Sequence, residues 1–396
     1  MPVEQFLLNC HRRHDPTWSP ETVDPFERED IRQVHRSINS YQPTPLVSLS
    51  NLATELGLKN LLVKDESFRF GLKAFKALGA TYAVYRWFKA RAEQLRQSKP
   101  IADKFYRRQG GFMSGENQTF CTATDGNHGL GVAWTASLLA QRSAIFVPSG
   151  TARPRIEAIK SHGAEVTTVD GNYDEAVRVA KATADKNGWP VISDTSWPGY
   201  ENVPRDIMAG YRTLFDEIAE SVDQSTIDAV FVPAGVGALA SAAAWHYSRS
   251  DADTGIKLVT VQSAAAPCLL ESLAGVSGDV QTVETGDTIM AGLNCGTPSR
   301  VAWPFIRDRF DAFMSLTDDS ARQAVRTYFF PKGNDPRTIS GESGAAALAA
   351  VMVVMTQPQF DGLRTGLDLG RDSTVLVLNT EGDTDPESYQ RILAGG

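Results

Sequence analysis

Two lysines stand close together where a predicted strand is followed by a predicted helix. Lys73 and Lys76 come after the apolar run LLVKDE (61–66) and lie within or before the helical pattern KALGATYAVYRWFKA. The positive end of a helix dipole disfavours a charged lysine at this position, and a second lysine nearby adds like-charge repulsion. Both effects favour the neutral amine that forms a Schiff base with a carbonyl group. Two solvated lysines before an amphipathic helix would give the same pattern.

A second strand-to-helix turn has the residues of an anion site. It reads TATDGNHGLG, from Thr122 to Gly131, and its small residues leave backbone N–H groups available at the start of a helix. Asn127 and His128 add side-chain donors, so the carboxylate of a small substrate would fit there. Asp125 would repel such an anion unless it faces a cation, and an ordinary aspartate N-cap is the simpler explanation of this residue.

Two further turns would suit a phosphate group and an aromatic nitrogen. The run VPAGVGALAS places Gly235, Val236, Gly237 and Ala238 between a strand and a helix, where backbone amides could hold a phosphate. A single GxG pattern often marks only a tight turn. The run LNTEGDTD ends a strand at Thr380, whose hydroxyl could meet a ring nitrogen, although acidic loops of this kind are usually just solvated.

Short apolar runs alternate with helical patterns and so predict the architecture. The runs that indicate strands are LLVKDE (61–66), FCTAT (120–124), AIFVPS (144–149), EVTTVD (165–170), AVFVPAG (229–235), KLVTVQS (257–263) and TVLVLNTEG (374–382). Continuously apolar strands with helices between them indicate an α/β fold with parallel sheets flanked by helices. Ligands bind such sheets at the carboxyl ends of the strands, which is where the four turns lie.

The bulk composition argues against several function classes. The chain has 396 residues, of which 42% are hydrophobic and 22% charged, as is ordinary for a soluble protein of two domains. A net charge of -8 without a Lys/Arg-rich stripe argues against a nucleic-acid partner. Since there is neither a signal sequence nor an apolar run of about 18 residues, we expect a cytoplasmic protein with no membrane partner.

Neither the cysteines nor the N-terminal histidines indicate a cross-link or a metal. The four cysteines lie far apart without a CxxC pair, so we expect them to be reduced. Cys10, His11 and His14 would need a second ligand cluster to form a zinc site, and no metal is predicted. The polar, basic segment 95–118 is interpreted as a surface excursion or a connection between domains.

With these turns the chain resembles the fold type II, or tryptophan-synthase-β-like, pyridoxal-phosphate (PLP) enzymes, and within them the diaminopropionate ammonia-lyases. The resemblance extends from Tyr41 to Asp385. The matching motifs are VKDES (63–67), FGLKAFKALG (70–79), TDGNHGLGVAW (124–134), SDTSWPGY (193–200), AGVGA (234–238), IMAGLNCG (289–296), GNDPRTISGESGA (333–345) and TEGDTD (380–385). The motifs TDGNHG, DTSW, GNDPR and TEGDTD resemble the ammonia-lyases rather than their deaminase relatives.

The resemblance implies PLP as the cofactor and assigns residues to it. Lys76, in the AFKALG match and next to Phe75, would carry PLP as a Schiff base. The residues alone do not decide between Lys76 and Lys73 for this role. Asn127 would contact the 3-hydroxyl group, Gly235, Val236, Gly237 and Ala238 the phosphate, and Thr380 the pyridine nitrogen.

For the substrate, the resemblance implies a small amino acid with a second ammonium group. The turn of Thr124, Asp125, Asn127 and His128 would take the substrate carboxylate, and Asp194 would hold the β-ammonium group. Because the family accepts both enantiomers, a base is needed on each face: Lys76 for the L form and Asp125 for the D form.

The implied reaction is elimination of the β-amino group of 2,3-diaminopropionate through an aminoacrylate, with pyruvate and two ammonia as products. A serine/threonine-type dehydratase or a β-replacement synthase would keep the same fold, and an inactive binding or regulatory homologue would have lost the lysine, Asn127 or the glycines. The expected division is a large domain of 1–90 and 206–396 and a smaller domain of 91–205, with the cofactor in the cleft between them. The family also implies a homodimer.

Overall fold

A computed structural model describes residues 3–13, 16–94, 117–249, 255–275 and 278–395. Most of the segment interpreted as a surface excursion, residues 95–116, therefore lies outside the described residues, as does His14.

The described part of the chain alternates helices and strands. The helices are α1 (Pro20–Glu27), α2 (Asp30–Arg36), α3 (Ser50–Glu55), α4 (Ala77–Gln94), α5 (Asn127–Leu138), α6 (Arg153–Lys160), α7 (Tyr173–Asn187), α8 (Asn202–Gly210), α9 (Arg212–Ser221), α10 (Ala238–His246), α11 (Cys268–Ala274), α12 (Trp303–Arg309), α13 (Asp318–Phe329), α14 (Ala346–Thr356), α15 (Asp361–Gly366) and α16 (Pro386–Leu393). The strands are β1 (Gln5–Leu8), β2 (Leu46–Ser48), β3 (Asn60–Asp65), β4 (Thr119–Ala123), β5 (Arg142–Pro148), β6 (Glu165–Val169), β7 (Ala229–Pro233), β8 (Lys257–Ser263), β9 (Ala312–Leu316) and β10 (Thr374–Asn379). None of the described helices is long and apolar enough to cross a membrane.

One compact unit consists of Met1–Pro20, Pro43–Phe68 and Leu214–Gly396. Its sheet has the strand order β1-β9-β8-β7-β10-β3-β2. The five inner strands run parallel, as the sequence predicts, whereas β1 pairs antiparallel with β9 and β2 antiparallel with β3. The expectation of parallel sheets flanked by helices is confirmed, and the two edge strands add antiparallel pairs that the sequence does not predict.

The core of this unit lies between the inner strands and α14. The helix reads AALAAVMVVMT, and a helix that is apolar on every side is typically buried. It packs against β7, β8, β9 and β10, and its residues belong to one hydrophobic cluster with those strands. This packing fixes the sheet whose strand ends carry the glycine turn and Thr380.

The second compact unit consists of Glu21–Gln42 and Arg69–Thr213. Its sheet is parallel, with the order β4-β5-β6. Helix α4 packs against α5 and α8, so residues 69–90 group with this unit. The sequence predicts residues up to 90 to belong to the larger domain, because a helix that follows a strand of one sheet gives no sign of packing elsewhere.

Candidate active site

Lys76 lies immediately before α4 and forms an ion pair within the second unit. Its Nζ donates a hydrogen bond of 2.6 Å to Oδ2 of Asp194. The Lys76 side chain is 17% exposed and that of Asp194 5%, so the pair is largely shielded from water. These two residues are 118 positions apart in the chain, and the fold brings them together.

The protonation state of Lys76 differs from the one expected from the sequence. Burial lowers the pKa of Lys76, but the charge of Asp194, with smaller contributions from Tyr211 and Asp125, raises it above the ordinary lysine value. In the same way, the pKa of Asp194 is well below its usual range, because the charge of Lys76 outweighs the cost of burying the carboxylate. The expectation that the helix dipole makes this amine neutral is therefore wrong, since a carboxylate at 2.6 Å dominates it.

Lys73 has a different environment. Its side chain is exposed, and its backbone has φ of +58°, a left-handed conformation that side chains other than glycine rarely adopt. Of the two lysines, Lys76 is the one with a shielded amine.

Asp194 has a second partner that sequence reasoning missed. The hydroxyl of Tyr173, the first residue of α7, donates a hydrogen bond of 3.3 Å to Oδ1 of Asp194. The two carboxylate oxygens thus face an ammonium group and a phenol. The available signal was the position of Tyr173 just after β6, at another strand-to-helix turn.

The Thr124–His128 turn is held by its own side chains. The Oγ1 of Thr124 accepts hydrogen bonds of 2.9 Å from the backbone N–H groups of both Gly126 and Gly129. Two of the N–H groups expected to be available for an anion are therefore already used. The ring Nε2 of His128 lies 2.7 Å from the carbonyl oxygen of Ile192, which connects this turn to the residues just before Asp194.

Asp125 is half-buried in this turn, and its charge acts on the amine of Lys76. Its carboxylate raises the pKa of Lys76, although burial, Asp194 and Tyr211 have larger effects. The N-cap position of α5 is taken by Gly126, and the N-cap explanation of Asp125 is wrong. Asn127 is the first residue of α5, and Phe75 is buried against the ring of Tyr211, with 4.8 Å between the ring centroids.

The glycine turn lies in the first unit, between β7 and α10. Gly237 has φ of +99°, which favours glycine, and the first hydrogen bond of α10 is donated by Ser241 to the Gly237 carbonyl. A Cβ at Gly235 would lie 2.9 Å from Sγ of Cys295 and 3.1 Å from the carbonyl oxygen of Gly292. The N–H groups of the first helical turn have no carbonyl acceptor one turn earlier, which leaves Ala238 at an anion-binding position.

Thr380 lies at the same edge of this sheet. Strand β10 runs parallel to β7, with Val377 paired to Phe231. Thr380 and Ala234 are each three residues beyond that pair, so both follow the carboxyl ends of neighbouring strands. Thr380 is buried, at 5% exposure. The hydroxyl and the glycine turn are thus positioned by adjacent strands.

The chemical groups present fit PLP. They are the shielded amine of Lys76, a turn at a helix start where any side chain in place of Gly235 would collide with Cys295, and the buried hydroxyl of Thr380. Residues 38–380 match the family model described as pyridoxal-phosphate dependent enzyme, and the chain belongs to that family. It is 42% identical to diaminopropionate ammonia-lyase of Escherichia coli (strain K12) over 373 residues, which cover 92% of this chain and 90% of that protein.

Solved structures agree with the sequence comparison. Holo diaminopropionate ammonia lyase from Escherichia coli superimposes with a TM-score of 0.90 at 38% identity, covering 100% of this chain and 97% of the other. The same enzyme in complex with an aminoacrylate-PLP azomethine reaction intermediate gives a TM-score of 0.86 at 37% identity, with 100% and 98% covered. The resemblance seen in the motifs, to fold type II PLP enzymes and among them to diaminopropionate ammonia-lyases, is confirmed.

Proposed function

We propose that this chain is a PLP-dependent lyase that converts 2,3-diaminopropionate and one water to pyruvate and two ammonia. The observation that carries the proposal is the pair of carboxylates, Asp125 and Asp194, whose charges both act on the amine of Lys76. A substrate that replaces the Lys76 charge with a second ammonium group keeps both carboxylates compensated, whereas serine or threonine would not. The close similarity to diaminopropionate ammonia-lyases supports the same conclusion.

The residue assignments implied by the family resemblance are proposed for PLP. Lys76 would attach the cofactor next to Phe75, and Asn127 would contact its 3-hydroxyl group. Gly235, Val236, Gly237 and Ala238 would hold the phosphate, and Thr380 would meet the pyridine nitrogen. When bound, the cofactor withdraws the electron pair that remains at Cα after proton loss.

The chain itself supplies the proton acceptors. We assign the Nζ of Lys76 to the Cα proton of the L form and the carboxylate of Asp125 to that of the D form. The effect of the Asp125 charge on the pKa of Lys76 supports the proposal that both groups can reach the Cα atom of one substrate. Base and acid roles of this kind require such proximity.

The remaining groups orient the substrate. Thr124 and Asn127 belong to the turn that would receive the carboxylate, and the two hydrogen bonds that Thr124 accepts keep this turn rigid. Asp194 would bind the β-ammonium group, with Tyr173 fixing the carboxylate through its second oxygen. The leaving nitrogen takes the electron pair of the broken Cβ–N bond and departs as ammonia.

A pyruvate-release assay tests the proposal. The purified holoenzyme is given both enantiomers of diaminopropionate, serine, threonine and cysteine, with and without an added nucleophile. Highest kcat/KM on diaminopropionate supports the ammonia-lyase. Highest kcat/KM on serine or threonine would instead define a dehydratase, and a new amino acid formed from the added nucleophile would define a β-replacement synthase.

Asp194→Asn is expected to change both turnover and cofactor loading. Loss of one partner of a shielded charge pair removes about 2 kcal/mol of interaction free energy with the substrate's β-ammonium group. The value of kcat/KM for diaminopropionate should therefore fall by about 30-fold. Loading of the apoprotein with PLP needs the neutral amine of Lys76, whose pKa is raised by Asp194. The pH of half-maximal loading, followed by visible absorbance, should therefore move downward in the variant. Tyr173→Phe keeps the carboxylate and serves as the control; an equal shift in both variants would contradict the assignment to charge.

We also propose a homodimer that works in the cytoplasm, as the family resemblance implies. Light scattering of the holoenzyme during size-exclusion chromatography gives the number of subunits directly. A monomer or a tetramer would refute the proposed homodimer.

A further inference from the structure

His128 is a buried histidine with one nitrogen engaged. It is the second residue of α5 and 2% exposed. Its Nε2 lies 2.7 Å from the carbonyl oxygen of Ile192. Because a carbonyl oxygen only accepts hydrogen bonds, Nε2 must carry the proton.

The other ring nitrogen of His128 is a buried acceptor. Its Nδ1 has no hydrogen-bond partner among the described residues. A charged ring would carry a second N–H at this position, with nothing among those residues to accept it, so the neutral ring fits better. Burial lowers the pKa of His128, and the shift stays downward although Asp194 acts in the opposite direction. The only proton of a neutral ring is already used by Ile192, and His128 cannot donate to a substrate carboxylate as expected from the sequence.

The His128 ring lies within the electrostatic influence of the charged site described above. Asp194, Lys76 and Asp125 all act electrostatically on the His128 ring. Ile192, which binds the ring, is two residues before Asp194. A substrate group that meets Nδ1 of the ring must bring a hydrogen. Of the groups of diaminopropionate, the carboxylate has none to give, whereas the β-ammonium group has three.

We propose that Nδ1 of His128 accepts a hydrogen bond from the β-ammonium group of the substrate and is a specificity-determining contact for β-amino over other β-substituents. This inference depends on the proposed function. A neutral acceptor orients the ammonium group through a hydrogen bond. The positive charge of that group is then balanced by the carboxylates of Asp194 and Asp125. The β-nitrogen then keeps its three protons, so that it leaves as neutral ammonia with the electron pair of the Cβ–N bond, while the Cα proton stays on Lys76 or Asp125.

Two substitutions separate this contact from a purely structural role. His128→Gln can keep an amide N–H near the position of Nε2, facing Ile192, but has no acceptor at Nδ1. His128→Asn can keep a polar atom near Nδ1 but is too short to reach Ile192. Each variant is assayed as holoenzyme with L-diaminopropionate and with L-β-chloroalanine, whose leaving group has no hydrogen to donate.

The loss of kcat/KM in His128→Gln should be at least about tenfold greater for diaminopropionate than for β-chloroalanine, as for loss of a hydrogen bond to a charged group. In His128→Asn both substrates should lose activity in parallel and Tm should fall, because the link to Ile192 is broken. Equal losses in His128→Gln, or no loss, would overturn the proposal. If the parent enzyme itself prefers another substrate, the proposed function fails instead, and the parent assay alone reveals this.

A spectroscopic measurement tests the same contact without turnover. The holoenzyme is labelled with 15N-histidine, and the signal that disappears in His128→Gln identifies His128 among the six histidines. Its nitrogen shifts should show the neutral ring with the proton on Nε2. A ring protonated on Nδ1 at neutral pH would overturn the proposal.

Discussion

Lys76→Ala is expected to lower pyruvate release from either enantiomer of diaminopropionate by about 10³-fold or more. The variant loses the amine proposed to attach the cofactor and, for the L form, the proton acceptor as well. The loss cannot be compensated by Lys73, because that side chain is exposed whereas the amine of Lys76 is shielded and paired with Asp194. Borohydride treatment of the parent holoenzyme followed by peptide mapping should place the cofactor adduct on Lys76.

Lys73→Ala is the matched control, since it removes the same group three residues away in the same turn. It should retain the visible absorbance of the bound cofactor and most of the activity. An adduct mapped to Lys73, or loss of the absorbance in Lys73→Ala with retention in Lys76→Ala, would reverse the assignment.

Asp125→Asn should separate the two enantiomers. If the Asp125 carboxylate removes the Cα proton of the D form, turnover of D-diaminopropionate by the variant should fall by about 100-fold or more. Turnover of the L form should fall by less than about tenfold. The L form keeps Lys76 as its base and loses only the charge that Asp125 contributes near that amine. Initial rates with each pure enantiomer give the ratio.

Asp170→Asn provides the comparison, because it removes a carboxylate of the same size from an exposed turn of the same unit. Both enantiomers should react at the parental rates in this variant. Equal losses for the D and L forms in Asp125→Asn would show that Asp125 binds substrate without acting as a base.

The inner strands of the fold were predictable because their residues are continuously apolar. All seven runs singled out from the sequence form strands: β3, β4, β5, β6, β7, β8 and β10. The edge strands β1 and β2 were missed, since they are four and three residues long and only partly buried. The strand β9 was also missed, although its five residues are buried. The strand conformation of β1 and β2 depends on their pairing partners, which a pattern within one run does not reveal, and burial alone did not make the run AFMSL of β9 detectable.

The site was predictable as a set of turns but not as a set of contacts. Strand-to-helix turns located Lys76 and Asp125, while the protonation of Lys76 was predicted with the wrong sign. The reason is that Asp194, 118 residues away, determines it, and its hydrogen bond from Tyr173 was equally invisible. Electrostatics at 3 Å depends on tertiary packing, whereas the helix dipole is a local property.

The strand order of the large sheet also has a consequence for the time course of synthesis. Strand β10, residues Thr374–Asn379, lies between β3 and β7, so these two strands lack the neighbour that joins them until residue 379 has left the ribosome. Residues 69–213, by contrast, are continuous and hold a sheet with local neighbours. The nascent chain therefore completes the unit that carries Lys76 and Asp194 well before the unit that carries the glycine turn.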